Sequence, residues 1–273
     1  MKRLLPLLFL LFPLSVIAAW SSGNDHDRIP SEHTDSLVFN LATDNTEFPS
    51  SHVLQTALDG YKLLLDNQSI NRPEVITIID FSLPSDKERL WVLDIINKKV
   101  LYCCLVSHGR NSGDLKAESF SNIPGSNASS PGFYSTGETY HGKHGLSLTL
   151  NGLEPDINDK ARTRSIVMHG ADYVSSDFIR RHGRLGRSHG CPAVPAGQSN
   201  EIINTIKEGS CLFIYAPVAD YTSNSHIINE ITSIKKSEPL LLPVSDLKPP
   251  VLFHLSDRYL SGIVSDPSHQ SMP

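Results

Sequence analysis

The sequence has little with which to hold a polyanion. Its 24 Lys and Arg stand against 29 Asp and Glu, a formal charge of −5. With no basic excess to neutralise a phosphate backbone, nucleic acid is excluded as the main partner. Cysteine is scarce as well: four in 273 residues do not make the disulfide framework of a small secreted fold. No internal repeat is visible. No apolar run beyond residue 19 is long enough to cross a bilayer. What remains is a globular composition, 39% hydrophobic and 19% charged, and a length that suits one large domain or two small ones.

The N-terminus reads as a leader. Met1-Lys2-Arg3 is a short basic start, and 13 of the 16 residues Leu4–Ala19 are apolar. Pro6 and Pro13 would break a spanning helix, and Ala18 and Ala19 offer a small-residue cleavage site. No Cys lies near that site, which speaks against a lipoprotein. Cleavage would remove Lys2 and Arg3 and no acid, taking the formal charge from −5 to −7. The expectation is an exported chain in the periplasm or cell envelope, with no integral membrane segment once mature.

Residues 20–50 are polar and read as a linker. Val53, Leu54, Ala57, Leu58, Tyr61, Leu64 and Leu65 recur at helical spacing, predicting an amphipathic helix over Ser51–Asn67. Val75–Phe81 is β-branched and apolar, a buried strand. Arg89–Ile96 and Lys99–Ser107 read as a hairpin turning at Asn97-Lys98. Ser107–His144 is crowded with Gly, Ser, Asn and Pro and predicts turns and loops with short strands at best. Leu146–Leu150 and Arg164–His169 are short strand candidates, and Arg180–Pro195 reads as irregular. Gln198–Glu208 sets Ile202, Ile203 and Ile206 on one helical face, with Gly209 as the stop. Cys211–Ala216 is a closing strand. Residues 217–273 hold 7 of the 18 prolines and predict an extension outside the domain. The whole is a mostly β core over about residues 70–216 with a few helices.

The densest chemistry lies in Arg187-Ser188-His189-Gly190-Cys191-Pro192-Ala193-Val194. Cys191 sits in a polar loop beside Gly190, where the backbone can bare its amides and let a substrate approach. Arg180, Arg181, Arg184 and Arg187 precede it, and nearby cations favour the thiolate, the nucleophilic form. Amides at Gly190 and Cys191 could face a developing oxyanion. A thiol also needs a base within hydrogen-bond reach. His169, ending a predicted strand, is one candidate and His189 the other. His169 has the advantage that a separate strand can set its distance and angle independently. The plainer readings are a disulfide of Cys191 with Cys103, Cys104 or Cys211, although Cys103–Cys211 or Cys104–Cys211 is the better pairing, a zinc site from His169, His189 and Cys191, or a solvated arginine face. His108, His141, His144 and His182 each precede a glycine and read as structural or exposed.

His169-Gly170 and Ser188-His189-Gly190-Cys191, with eighteen residues separating His169 from Ser188, resemble the signature of the L,D-transpeptidase catalytic domain, the YkuD-like family. Val106-Ser107-His108-Gly109, Phe120-Ser121-Asn122, Ser130-Pro131-Gly132-Phe133-Tyr134, Gly137-Glu138-Thr139-Tyr140-His141-Gly142 and Gly190-Cys191-Pro192-Ala193-Val194-Pro195 resemble its murein L,D-transpeptidase branch. The resemblance covers about residues 70–216. It implies a mostly β, sandwich-like catalytic domain over 51–216. It implies Cys191 as nucleophile, His169 as base oriented by a backbone carbonyl, Gly190 and Cys191 as oxyanion hole, and Ser188 and His189 as shapers of the site. Arg187, Arg184, Gly170 and Tyr140 are the implied substrate contacts. Many family members carry Asn or Arg two residues after the Cys, where this chain has Ala193. The implied reaction is acyl transfer on peptidoglycan stem peptides through a Cys191 thioester, with no metal or organic cofactor. The alternatives are an L,D-carboxypeptidase, cleavage of wall-attached protein, zinc-dependent hydrolysis and a non-catalytic wall-binding module.

Overall fold

A computed structural model of the protein describes residues 48–237. The expected leader, nearly all of the linker and residues 238–273 of the extension lie outside the described residues. The chain divides into two compact units, one ending at Ile231 and the other beginning at Thr232. Of the second, the described residues 232–237 form the end of a helix; everything below concerns the first.

The first helix, α1 (Ser51–Asp66), starts where Ser50 accepts the Val53 N–H on its hydroxyl at 3.4 Å. Its buried stripe of Val53, Leu54, Ala57, Leu58, Tyr61 and Leu64 is the one the spacing predicted. Eight strands follow: β1 (Arg72–Asp80), β2 (Leu90–Asp94), β3 (Lys99–Cys104), β4 (Gly132–Gly142), β5 (Gly145–Gly152), β6 (Val167–Ala171), β7 (Ala193–Pro195) and β8 (Ser210–Tyr215). They form one sheet in the order β3-β2-β1-β8-β4-β5-β6-β7. The β1–β8 and β6–β7 pairs are parallel and the others antiparallel.

The sheet curls until its two ends meet. The chain leaving β3 reaches β7, where Ser107 N–H donates to Ala193 O at 2.8 Å, and Gly109 bridges to Ser188. Alternation along β1 shows the two faces. Val75 and Ile79 point inside with Val92, Leu150, Met168 and Leu212, where α3 (Ser199–Ile206) inserts Ile202, Ile203 and Ile206. Ile76 and Ile78 point outside with Trp91, Phe133 and Phe213, under α1. The fold is mostly β, nearly barrel- or sandwich-like, with few helices.

Two elements escape the sequence pattern. β4 is an eleven-residue strand within a stretch read as loops. Its first half is buried on both faces, Phe133 in the outer cluster and Tyr134 in the inner one, so no apolar-polar alternation marks it. The helix α2 (Ser176–His182) lies in a stretch read in part as irregular; it has no buried residue, hence no apolar stripe. Its signals are local: Ser175 caps it by accepting the Phe178 N–H at 3.3 Å, and Gly183 ends it at φ 71°.

The C-terminal extension is in part structural. α4 (Ala219–Asn224) and α5 (His226–Ser237) bring Tyr221, Ile227 and Ile231 into the outer core. Glu154, fully buried, accepts from Phe133 N–H at 2.8 Å, from the Tyr221 hydroxyl at 3.2 Å and from the Ser225 hydroxyl. Burial holds its carboxyl above the usual range, against these donors.

The expected disulfide does not form among the described cysteines. Two strands separate β3 from β8, which sets Cys103 and Cys104 about 14 Å from Cys211 at ordinary strand spacing. A disulfide needs Cα atoms within about 7 Å.

Candidate active site

The Cys191 loop is held from three sides. Ser188 N–H donates to His108 O at 3.0 Å, and Arg110 N–H donates to Ser188 O at 2.8 Å. The Ser188 hydroxyl donates to Cys191 O at 2.6 Å and accepts Gly190 N–H at 3.0 Å, closing the turn on itself. Gly190 O accepts the Ser129 hydroxyl at 3.1 Å. Gly190 has φ 119°, and a Cβ there would stand 2.7 Å from Ala128 O and 2.9 Å from Ile166 Cδ1. Only glycine meets both demands. Ser188 thus shapes the Cys191 turn. The Gly190 amide, expected to face an oxyanion, is already spent on Ser188, which leaves the Cys191 amide of that pair.

His169 comes from β6. The β6–β7 register pairs His169 with Ala193, which puts Cys191 level with Val167, one strand across and two residues along. Strand geometry makes that backbone separation about 8 Å, a span that two side chains on one face cover, here the face opposite Met168 and Val194. His169 is buried, and its Nδ1 lies 2.9 Å from Gly170 O. A carbonyl accepts only, so Nδ1 carries the proton and Nε2 keeps a free lone pair. Burial holds its pKa below the usual imidazole value, against the Gly170 hydrogen bond, with the charges of His144 and Lys143 adding to the depression. His169 is therefore neutral and basic at neutral pH. The His144 ring stacks on it, centroids 4.3 Å apart.

Cys191 is half-buried, its Sγ 3.7 Å from Ser165 O. Burial pushes its thiol up; the Val167 N–H, Arg164, Lys143 and its own N–H oppose this without prevailing. The resting group is a neutral thiol that needs a base. The arginines expected to favour a thiolate are placed elsewhere. Arg180 pairs with Asp177 at 2.5 Å, and Arg181 donates to Asp177 O at 3.2 Å. Arg187 pairs with Asp114 at 2.5 Å and donates to Gly113 O at 3.0 Å, and Arg184 lies 3.5 Å from Asp114. Arg184 and Arg187 tie the 110–114 loop to the Cys191 loop.

Arg164 was missed, read only as the start of a strand. Its guanidinium donates to Ser121 O at 2.7 Å, Ala128 O at 2.6 Å, the Ser130 hydroxyl at 2.5 Å and the Ser126 hydroxyl at 3.2 Å. It clamps the 121–130 loop against the back of Gly190. No local sequence signal marks it, because its partners lie more than 30 residues away.

His189 is exposed, whereas His169 is buried. Tyr140 lines a small cleft with Ser165, Ile166 and Val167. Gly170 lines a larger groove with His144 and must be small, since a Cβ would stand 2.5 Å from Ser199 Oγ. Ala193 is fully buried among Ala171, Val174 and Leu185, so its position offers no substrate contact. Among the described residues no three His, Cys, Asp or Glu side chains converge as a metal-ligand set. His108 is structural: fully buried, its Nδ1 accepts from Arg89 at 2.8 Å.

Comparison with known proteins gives the same direction. The family described as L,D-transpeptidase catalytic domain, YkuD_2, matches residues 46–215. No curated protein matches. Solved structures similar to this chain include an L,D-transpeptidase from Mycobacterium smegmatis, at 12% identity and a TM-score of 0.34, covering 52% of this chain and 59% of that one. Another is an L,D-transpeptidase from Mycobacterium tuberculosis H37Rv, at 11% identity and a TM-score of 0.35, covering 52% and 58%. A third is the L,D-transpeptidase from Xylanimonas cellulosilytica DSM 15894, at 14% identity and a TM-score of 0.30, covering 68% and 94%. The chain spans about three fifths of the length of the two mycobacterial structures. With its family match extending over more than half of the sequence, this chain belongs to the L,D-transpeptidase catalytic domain family.

Proposed function

We propose that this protein is an exported, cysteine-dependent L,D-transpeptidase acting on peptidoglycan stem peptides. The observation that carries the reading is the β6–β7 register, His169 opposite Ala193, which brings Cys191, two residues before Ala193, toward an imidazole whose Nδ1–H is committed to Gly170 O. His169 Nε2 takes the thiol proton as the sulfur attacks the carbonyl of the L,D amide bond after the diamino acid of a tetrapeptide. The Cys191 amide faces the oxyanion. His169 returns the proton to the departing D-Ala amine, and a thioester remains. An amine from a neighbouring stem then attacks the thioester, His169 accepts its proton, and the thiol reforms as a 3→3 cross-link is made. Water in place of the amine gives L,D-carboxypeptidase activity. The leader over residues 1–19 delivers the protein to the wall.

The test is mass spectrometry of digested sacculi after incubation with wild type and with Cys191→Ala. New 3→3 cross-linked products with wild type, absent with the variant, are the expected result. Products formed equally by Cys191→Ala would remove the thiol mechanism, and tripeptides alone would convert the reading to a hydrolase.

A further inference from the structure

An oxyanion at Cys191 meets few donors from the turn itself. The Gly190 N–H is committed to the Ser188 hydroxyl at 3.0 Å. Two residues past the thiol stands Ala193, fully buried and without a side-chain donor. Arg180, Arg181, Arg184 and Arg187 are held by Asp177 and Asp114. Negative charge that develops as the sulfur attacks a carbonyl is left with the Cys191 amide and with any cation standing close behind the turn.

Arg164 is such a cation. Its Nη2 lies 3.3 Å from where a Gly190 Cβ would stand, so the guanidinium abuts Gly190. The next residue, Ser165, has its carbonyl oxygen 3.7 Å from Cys191 Sγ. Two consecutive residues therefore reach both members of the Gly190-Cys191 pair. The acceptors of the guanidinium are all neutral: the Ser121 and Ala128 carbonyls and the Ser126 and Ser130 hydroxyls. No carboxylate pairs with it among the described residues, whereas Arg72, Arg162, Arg180, Arg184 and Arg187 each have one. Neutral oxygens fix the guanidinium in place and leave its net charge uncancelled. A half-buried cation without an acid also costs solvation that a neutral clamp would avoid.

Resting on the thiol acyl-transfer reading, we propose that Arg164 is a positioning residue with an electrostatic part in the reaction: its uncancelled charge, set against Gly190, stabilises the negative charge that passes from the sulfur to the carbonyl oxygen at Cys191, in place of a second oxyanion-hole amide. No bond to Arg164 forms or breaks, and it exchanges no proton. His169 takes the thiol proton, the sulfur forms the C–S bond, and Arg164 acts through space. Gly190 is then needed for a further reason, because its missing side chain lets the cation come close.

The test is the rate of Cys191 acylation by a carbapenem, read by intact mass beside the melting point, in the full chain and three variants. Arg164→Gln keeps part of the hydrogen bonding and removes the charge. Arg164→Lys keeps the charge and loses the fork that reaches four acceptors. Ser126→Ala combined with Ser130→Ala loosens the clamp and keeps the arginine. Acylation should fall about ten- to thirtyfold in Arg164→Gln, as expected for a unit charge lost near the reacting atoms at an intermediate dielectric, and stay within about threefold of wild type in the other two, whatever their melting points. An unchanged rate in Arg164→Gln overturns this proposal alone. So does an equal loss in Arg164→Lys or in the serine pair, which would reduce Arg164 to a clamp. Should Arg164→Gln unfold, folded Arg164→Lys decides: a rate near wild type sustains the charge, and a loss of about tenfold removes it. Absence of Cys191 acylation in wild type overturns the thiol reading and this proposal with it.

Discussion

Lowering the pH from 7 to 4 should destabilise this protein through a residue that does no chemistry. His108 is fully buried; it accepts from Arg89 on Nδ1 and lies 3.3 Å from Gly113 O through Nε2. Burial and the Arg89 charge bring its pKa down from 6.5 to about 4. Between those values the unfolded chain binds a proton that the folded chain refuses, so stability is present above pH 6.5 and is lost as pH falls toward 4. At 1.36 kcal/mol per unit the loss is about 3 kcal/mol, a sizeable share of an ordinary domain's stability. The comparison protein is His108→Gln, whose amide can accept from Arg89 and donate to Gly113 O without titrating. Urea unfolding of both proteins from pH 7.5 to 4 measures the difference. His169, with its lowered pKa, acts in the same direction, and Glu154, with its raised pKa, acts in the opposite one. Both are common to the two proteins and cancel. Wild type should lose about 3 kcal/mol more than the variant across the window; parallel curves would refute the buried-neutral assignment.

Other outcomes follow from the site. His169→Ala should acylate with a carbapenem about 10²–10⁴-fold more slowly than wild type, while His189→Ala stays near wild type. Intact-mass kinetics decide, and the reverse pattern would exchange the two roles. Gly190→Ala forces a side chain into φ 119° and against Ala128 O. It should cost on the order of 1–3 kcal/mol, seen as a melting point lowered by several degrees, with loss of Cys191 acylation; an unchanged melting point would show that the loop yields. Protein recovered from the cell envelope should begin near Ala19 or Trp20 on N-terminal sequencing, and an intact Met1 in the membrane fraction would reverse the export reading.

The stripe of α1 and the three isoleucines of α3 are legible from their period, because each helix buries one side against a core. β1 and β4 both send their two faces into different cores; β1 is legible as a continuous β-branched run, whereas the glycines and polar residues of β4 imitate a loop. The site divides in the same way. Ser188, Gly190 and Cys191 are contiguous, and their turn is closed by hydrogen bonds between near neighbours. Arg164 and Lys143 act on the same sulfur from distant parts of the chain, and only the folded register brings them there. The arginines at 180–187 show the converse: closeness along the chain sets them near Cys191, but Asp114 and Asp177 claim all four, Arg181 through the Asp177 carbonyl.

The meeting of the sheet's two ends has a kinetic meaning. The contacts that seat the Cys191 loop, Ser107 with Ala193 and Gly109 with Ser188, join segments roughly eighty residues apart. Such non-local closures carry a large loop-entropy cost and form late in a folding reaction. The hairpins β2–β3 and β4–β5 can assemble early, yet neither holds Cys191 near His169. Until that seam closes, the β6–β7 register can set Cys191 near His169 but the Cys191 loop lacks the contacts that hold it. On the proposed reading, the appearance of Cys191 reactivity toward an acylating probe is therefore a clock for the completion of folding.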